Sequence, residues 1–212
     1  MEKRLTISFE TAIEGGSVSL LEGEKEIDFW IGDGQNSKAD DILEKIQSLL
    51  LKNKIKRNDI ELITVSSGPG SFTGVRNGIA TALGLKKALN CGFIGVSVFD
   101  SMILRAQGSG YVLTAIPIGR GQVGCQIYEV PNQEEHKIME KFEVLNKDQF
   151  FNDLKVKNYD SLILHPKLYE STMFQNEISD KNNFINSGKN LALLIGILGR
   201  RMNSLVVASD NV

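Results

Sequence analysis

The sequence predicts an α/β protein of two lobes, each a mixed sheet with flanking helices. Three observations carry that reading. The order strand-strand-strand-helix-strand-helix occurs twice, with Gln107-Gly108-Ser109-Gly110 as the join, so the lobes are expected at 1–107 and 108–212. A continuous apolar run at 61–66 passes through a glycine-rich turn into a helical pattern, as a strand buried on both faces does. Hydrophobic residues make up 42% of the 212 and charged residues 24%, enough apolar surface for a packed core, which excludes a disordered chain.

The elements follow in order. Residues 4–9, 16–21 and 25–31 read as strands between the turn clusters Glu14-Gly15-Gly16 and Glu22-Gly23-Glu24. A helix is expected over about 37–53, with Ser37 as N-cap, Asp40 three residues on, and Ile42, Leu43, Ile46, Leu49 and Leu50 on one face. After the strand at 61–66 come a helix at about 74–89, a short strand at 93–96 and a helix at 98–107. The second half gives strands at 111–118, 122–130 and 136–144, a helix at 147–156, a strand at 160–165 and a long helix at 188–203. The halves share this order but little sequence, and the polar stretch 170–186 carries no pattern that assigns it.

Composition removes several function classes. The 2 histidines, His136 and His165, form no HxxxH or HExxH face, and the 2 cysteines, Cys91 and Cys125, form no CxxC. No zinc or iron site is therefore expected, although this count does not bear on a carboxylate-only magnesium or calcium site. Both cysteines read as reduced core residues and both histidines as structural. A net charge of −2 supplies no field that gathers nucleic acid. The basic run Lys52, Lys54, Lys56 and Arg57 reads as a solvated helix end, where cations suit the negative pole of the dipole. Met1-Glu2-Lys3-Arg4 leads into a strand rather than an apolar leader, and no run approaches the ~20 apolar residues of a membrane span. A cytoplasmic protein without membrane association is expected.

The densest signal is Ser66-Ser67-Gly68-Pro69-Gly70-Ser71-Phe72-Thr73-Gly74-Val75-Arg76-Asn77-Gly78, between a buried strand and a helix start. Glycines let successive N–H groups converge, and the helix end adds positive charge, which suits a phosphate or carboxylate. No Lys-Ser or Lys-Thr follows, and Gly68-x-Gly70-x-x-x-Gly74 is one residue too long for the dinucleotide fingerprint. A tight turn capped by Thr73 accounts for the same residues without a ligand, so both readings stand. Beyond the loop, Gly74, Gly78 and Ala82 recur every four residues, with Gly84 nearby, although each helical Gly costs about 1 kcal/mol. Such a stripe admits another backbone, either the sheet beneath or a partner helix. Arg76 in the first turn opposes the dipole, so a contact elsewhere is expected to hold it.

The run Pro69-Gly70-Ser71-Phe72-Thr73-Gly74-Val75-Arg76, continuing through Gly78-Ile79-Ala80-Thr81-Ala82-Leu83-Gly84-Leu85, resembles the signature of the TsaB (YeaZ) family. These are subunits of bacterial tRNA threonylcarbamoyladenosine synthesis once grouped with M22 glycoproteases. Thr6-Ile7-Ser8-Phe9-Glu10-Thr11, Ser17-Val18-Ser19-Leu20, Gly95-Val96-Ser97 and Gly119-Arg120-Gly121-Gln122-Val123 extend the likeness over about 5–125. The resemblance implies an ASKHA fold of two RNase H-like lobes. It also implies a non-catalytic partner of the metal- and nucleotide-binding subunit TsaD, acting with the ATPase TsaE on the tRNA adenosine beside the anticodon. In the family the first-lobe helices form a dimer surface, with TsaD or with a second copy. That favours the partner-helix reading of the stripe and makes Ile42, Ile46, Leu49, Gly74, Gly78 and Ala82 the expected partner-binding residues.

The departures from the family pattern bear on chemistry. Glu10 stands where the family usually has Asp, Asn36 where it often has His, and Ile118-Gly119-Arg120 where it has Asp-Ala-Arg. In active ASKHA enzymes the first carboxylate organises a metal, so the resemblance implies no intrinsic cofactor here and ATP or ADP only within the complex. Glu10, Gly70, Ser71, Thr73, Arg76 and Arg120 remain the residues to test as nucleotide or anion contacts, with caps and internal salt bridges as the competing roles. The other functional reading is a stand-alone ASKHA-type ATPase or kinase, which calorimetry with ATP discriminates. A zinc protease, the old family label, lacks its ligand set.

Overall fold

Residues 5–13, 15–33, 41–132, 135–157, 159–170 and 183–209 are described by the computed structural model. The expected N-cap Ser37, the departure at Asn36 and most of the unassigned stretch 170–186 lie outside the described residues.

In the first half, β1 (Leu5–Glu10), β2 (Ser17–Glu22) and β3 (Lys25–Ile31) form an antiparallel meander. Helix α1 (Ile42–Lys52) leads to β4 (Ile60–Ser66), which pairs in parallel with β1. Helix α2 (Phe72–Leu89) leads to β5 (Gly92–Val96), parallel to β4, giving the order β3-β2-β1-β4-β5. Strand alternation sends Leu5, Ile7, Phe9, Val18, Leu20, Ile63 and Val65 to one face, where they pack with Ile42, Ile46, Leu49 and Leu50 of α1 and Ala82 of α2. At the far end of α1, Lys52 Nζ and Asn53 Nδ2 both reach Asp28 Oδ2 at 2.8 Å, which ties the helix to β3 and lowers the Asp28 carboxyl pKa. The expected 98–107 helix is the short α3 (Val98–Met102) followed by a 3-10 turn at Ile103–Arg105.

The second sheet repeats this connectivity. It contains β6 (Gly110–Gly119), β7 (Gln122–Val130), β8 (Lys137–Ile138), β9 (Glu143–Asn146), β10 (Ser161–Leu164) and β11 (Phe184–Asn186). Helix α4 (Lys147–Val156) lies between β9 and β10 in the chain. The order is β11-β10-β6-β7-β8, with β9 also on β7; β6, β10 and β11 run parallel and the rest antiparallel. The strand expected over 136–144 is thus two short ones. Asn146 and Gln149 cap α4 reciprocally: Gln149 N donates to Asn146 Oδ1 at 2.8 Å and Asn146 N donates to Gln149 Oε1 at 3.3 Å. Phe150 and Leu154 of that helix fill a core with Leu113, Ala115, Val123, Cys125, Leu162 and Leu164.

The last helix, α5 (Leu191–Ser209), returns to the first sheet and corrects the boundary expected at 107/108. One compact unit is Met1–Ser101 with Asn190–Val212, and the other is Met102–Lys189. The reason lies in the second face of the first sheet, where Thr6, Ser8, Ser17, Ser19 and Thr64 are wholly buried. Buried hydroxyls need partners. Ser8 Oγ donates to Ala192 O at 2.6 Å, and Ala192 N donates to Ser17 Oγ at 3.1 Å. Gly196 lies against Ser8 and Leu21, and Gly199 against Thr64 and Val96. Arg200 closes the contact, its Nη1 3.0 Å from Glu61 Oε2 and 3.4 Å from Thr6 Oγ1. Among the described residues no helix is long and apolar enough to cross a membrane.

Candidate functional site

Strands β1, β4 and β5 run parallel and end at one edge of the first sheet, where the turns that follow them are bonded together. Ser67 N donates to Val96 O at 2.8 Å and Val98 N to Gly68 O at 2.8 Å, which fixes the glycine loop to the end of β5. Ser71 N donates to Ala12 O at 2.7 Å, and Thr11 Oγ1 to Gly74 O at 2.8 Å, which fixes it to the end of β1. Gly70 has φ +151, and a Cβ there would lie 2.6 Å from the Cβ of Ala12 and 2.7 Å from its carbonyl oxygen. Close approach of the two turns is what requires glycine at this position.

Ser71, rather than the expected Thr73, caps α2: its Oγ accepts from Gly74 N at 3.3 Å, and the helix starts at Phe72. Thr73 is exposed. The contact that holds Arg76 is Phe72, whose ring centroid lies 5.2 Å from the guanidinium carbon. Arg120 belongs to the other unit, exposed in the turn between β6 and β7 with φ +51.

Glu10 is the buried charge of this edge, at 2% exposure. Its Oε1 accepts from Ala12 N and, at 2.8 Å, from Ile13 N. The Ser66 hydroxyl, buried and without a hydrogen bond of good geometry, faces the same carboxylate. Burial pushes the Glu10 pKa up to about 7, and the two amides and the hydroxyl restrain the rise. The side chain of Glu10, one methylene longer than aspartate, folds back onto the amides two and three residues ahead.

The loop is therefore arranged inward. Gly70 and Ser71 serve turn-to-turn packing and capping, and Glu10 occupies the amides of its own turn. The Ala12 and Ile13 amides are thereby held by the chain's own carboxylate. Among the described residues, no group of three or more His, Cys, Asp or Glu side chains is placed to hold a metal ion. His165 is 3% exposed and burial lowers its pKa to about 4, so it is a neutral core imidazole, with Nδ1 accepting from Lys167 N at 3.4 Å. Burial raises the Cys91 thiol, and Cys125 to about 12, which leaves both thiols protonated at neutral pH.

All six expected partner residues are buried within their own unit. Ile42, Ile46, Leu49 and Ala82 belong to the first core, and a Cβ at Gly74 or Gly78 would strike Thr11. The stripe admits the chain's own β1 turn and sheet, because the periodic apolar face of a helix seeks the nearest large apolar surface, and that surface is internal. The surface of α2 consists instead of Phe72, 74% exposed, with Arg76 and Leu83 along the same side; Leu43 and Leu51 are exposed on α1. The sequence signal for these was Phe72 at the loop's end with Leu83 three turns on. Two glycines of α2 separate packing from propensity. Gly84 is exposed with nothing within 4 Å of an added Cβ, so Gly84→Ala is expected to stabilise by up to about 1 kcal/mol. Gly78→Ala forces a Cβ onto Thr11 and is expected to destabilise by about 1–3 kcal/mol. Urea unfolding of both variants checks the opposite signs.

Residues 35–195 match the family model described as TsaD: tRNA N6-adenosine threonylcarbamoyltransferase. The chain is 34% identical over 127 residues to the tRNA threonylcarbamoyladenosine biosynthesis protein TsaB of Escherichia coli K12, covering 58% of this chain and 54% of that protein. It spans about half the length of the curated relatives it matches. In fold it resembles YeaZ from Pseudomonas aeruginosa, with a TM-score of 0.64 at 20% identity over 95% of this chain and 93% of that one. The activator of the 2-hydroxyisocaproyl-CoA dehydratase from Clostridium difficile, solved with bound ADPNP, has the same fold at TM-score 0.57 and 10% identity, covering 97% of each chain.

Proposed function

The chain belongs to the tRNA N6-adenosine threonylcarbamoyltransferase (TsaD) family and is a relative of TsaB and YeaZ, and from that premise we propose that it is a non-catalytic TsaB-type subunit. In this reading it binds a TsaD-type protein as a heterodimer and supports formation of N6-threonylcarbamoyladenosine in tRNA, with a TsaE-type ATPase as the further partner. It works in the cytoplasm, touches tRNA only through the complex, and meets ATP or ADP only there. The free chain pairs with a second copy through the same helices. The observation that carries the reading is the contrast at one end of α2. The glycine loop is bonded inward, with its neighbouring amides taken by Glu10, while Phe72 and Leu83 stand exposed on the adjoining helix. A surface of apolar and arginine side chains suits a protein partner better than a small anion.

Co-expression with the TsaD-type protein of the same source, followed by size-exclusion chromatography, tests this directly. A stable complex is expected. Phe72→Asp combined with Leu83→Asp is expected to weaken it on the order of 100-fold while leaving the melting temperature of the free chain unchanged. Loss of the chain is expected to deplete the modified nucleoside in tRNA hydrolysates. Absence of the complex together with unchanged nucleoside content would defeat the reading. Calorimetric binding of ATP and Mg²⁺ to the isolated chain would favour the stand-alone ATPase instead.

A further inference from the structure

Glu10 is the one buried carboxylate among the described residues, and its position links the β1 turn to the start of α2. Oε1 holds Ala12 N and Ile13 N; Ala12 O in turn accepts from Ser71 N at 2.7 Å, and Thr11 Oγ1 donates to Gly74 O at 2.8 Å. Gly70 packs directly on Ala12. The N-terminal end of α2, which presents Phe72 and Arg76, is thus fastened to a turn that one side chain holds closed. We propose that Glu10 is a proton-dependent latch: in place it holds the 11–13 turn and, through Ala12 and Thr11, the N-terminal end of α2, and its release loosens both. This inference concerns the isolated chain and does not depend on the partner reading.

The surroundings explain why the latch responds to protons. The elements packed against β1 are β2, β4 and α5, and they bring Ser17, Ser66 and Ala192 to this face; among the described residues no charged or titratable group acts on Glu10. Only the amides of Ala12 and Ile13 and the Ser66 hydroxyl oppose desolvation, so the held carboxyl titrates at about 7 instead of the usual carboxylate range. A carboxyl released into water returns to that usual range. By linkage, the closed state is the one that binds the proton more tightly, so protonation favours closure and rising pH favours release.

The test is amide hydrogen exchange of the full chain, read residue by residue by NMR between pH 5 and 8 and corrected for intrinsic exchange. Opening of the Ser71, Gly74 and Val75 amides is expected to rise up to about tenfold per pH unit, levelling above about 7, while amides of β6 show no such slope. In Glu10→Gln the slope at Ser71, Gly74 and Val75 should vanish. A flat wild-type profile, or a slope that survives in E10Q, overturns the latch. If E10Q does not fold, the wild-type chain still decides the matter. Its Ala12 and Ile13 amide shifts should titrate with a midpoint near 7, together with those of Ser71 and Gly74. A midpoint in the usual carboxylate range, or no response at Ser71 and Gly74, counts against it.

Discussion

Gly199→Val is expected to unfold the first unit at moderate temperature, and Gly196→Val to come close to doing so. An added Cβ at Gly199 would fall on Thr64 Cγ2 and lie 3.0 Å from Thr64 Cβ and 3.3 Å from Val96 Cγ2. At Gly196 it would lie 2.7 Å from Leu21 Cδ1 and 3.0 Å from Ser8 Cβ. Thr64 is a β-branched strand residue of the sheet centre whose Cβ cannot swing aside. At Gly196 the nearest atom is the end of the Leu21 side chain and only Ser8 Cβ is fixed, which makes Gly196→Val the milder of the two. Separating α5 from the sheet would break the bonds from Ser8 to Ala192 and from Ala192 to Ser17, leaving buried hydroxyls without partners. Overpacking of about 1–3 kcal/mol and the lost hydrogen bonds add, so a destabilisation of about 3 kcal/mol or more is expected for Gly199→Val. That is a large share of an ordinary domain's stability of about 5–15 kcal/mol. Denaturant unfolding measures it, with the exposed Gly84→Ala as the helix-propensity control. A loss below about 1 kcal/mol would mean that α5 does not bind the sheet through these glycines.

The same residues show why the fold was partly legible. The repeated strand order, the buried strand expected at 61–66 and the helices expected at about 74–89 and at 147–156 follow from periodicity and turn residues alone. What periodicity does not encode is which surface covers a face. Thr6, Ser8 and Glu10 alternate with Leu5, Ile7 and Phe9, a pattern that ordinarily means one wet face and one dry. Here both faces are dry, because the hydroxyls are small enough to admit a glycine-lined helix; Ser8 and Ser17 bond its backbone, while Thr64 Oγ1 is buried without a hydrogen-bond partner. That helix lies at the far end of the chain, so no local pattern assigns it to the first unit. The site divides in the same way. The glycine loop announced itself by spacing, and Arg76 by its wrong sign at a helix start. The six residues expected to bind a partner are the periodic ones, and a periodic apolar face packs on the chain's own sheet first. Phe72 and Leu83, outside that face, are the ones left exposed.

Glu10→Gln is expected to abolish the pH dependence that this one carboxyl imposes on stability. The folded-state pKa of about 7 stands above the ordinary 4.5, so the folded chain binds the proton more tightly than the unfolded chain. Stability contributed by that proton is fully present below about 4.5, falls as pH rises, and is gone above about 7. At about 1.4 kcal/mol per pKa unit, the total change is about 3 kcal/mol. Glutamine keeps an oxygen to accept from Ala12 and Ile13 and brings an NH₂ group that can donate to Ser66 Oγ, with no charge to bury at any pH. The other titrating groups are common to both chains, so they cancel in the difference. E10Q minus wild type should therefore move by about 3 kcal/mol in favour of the variant between pH 4 and pH 8. Glu10→Ala, which abandons both amides, should be the less stable of the two variants throughout. Parallel urea curves for wild type and E10Q would mean that the carboxyl is not held in the buried geometry on which the latch depends.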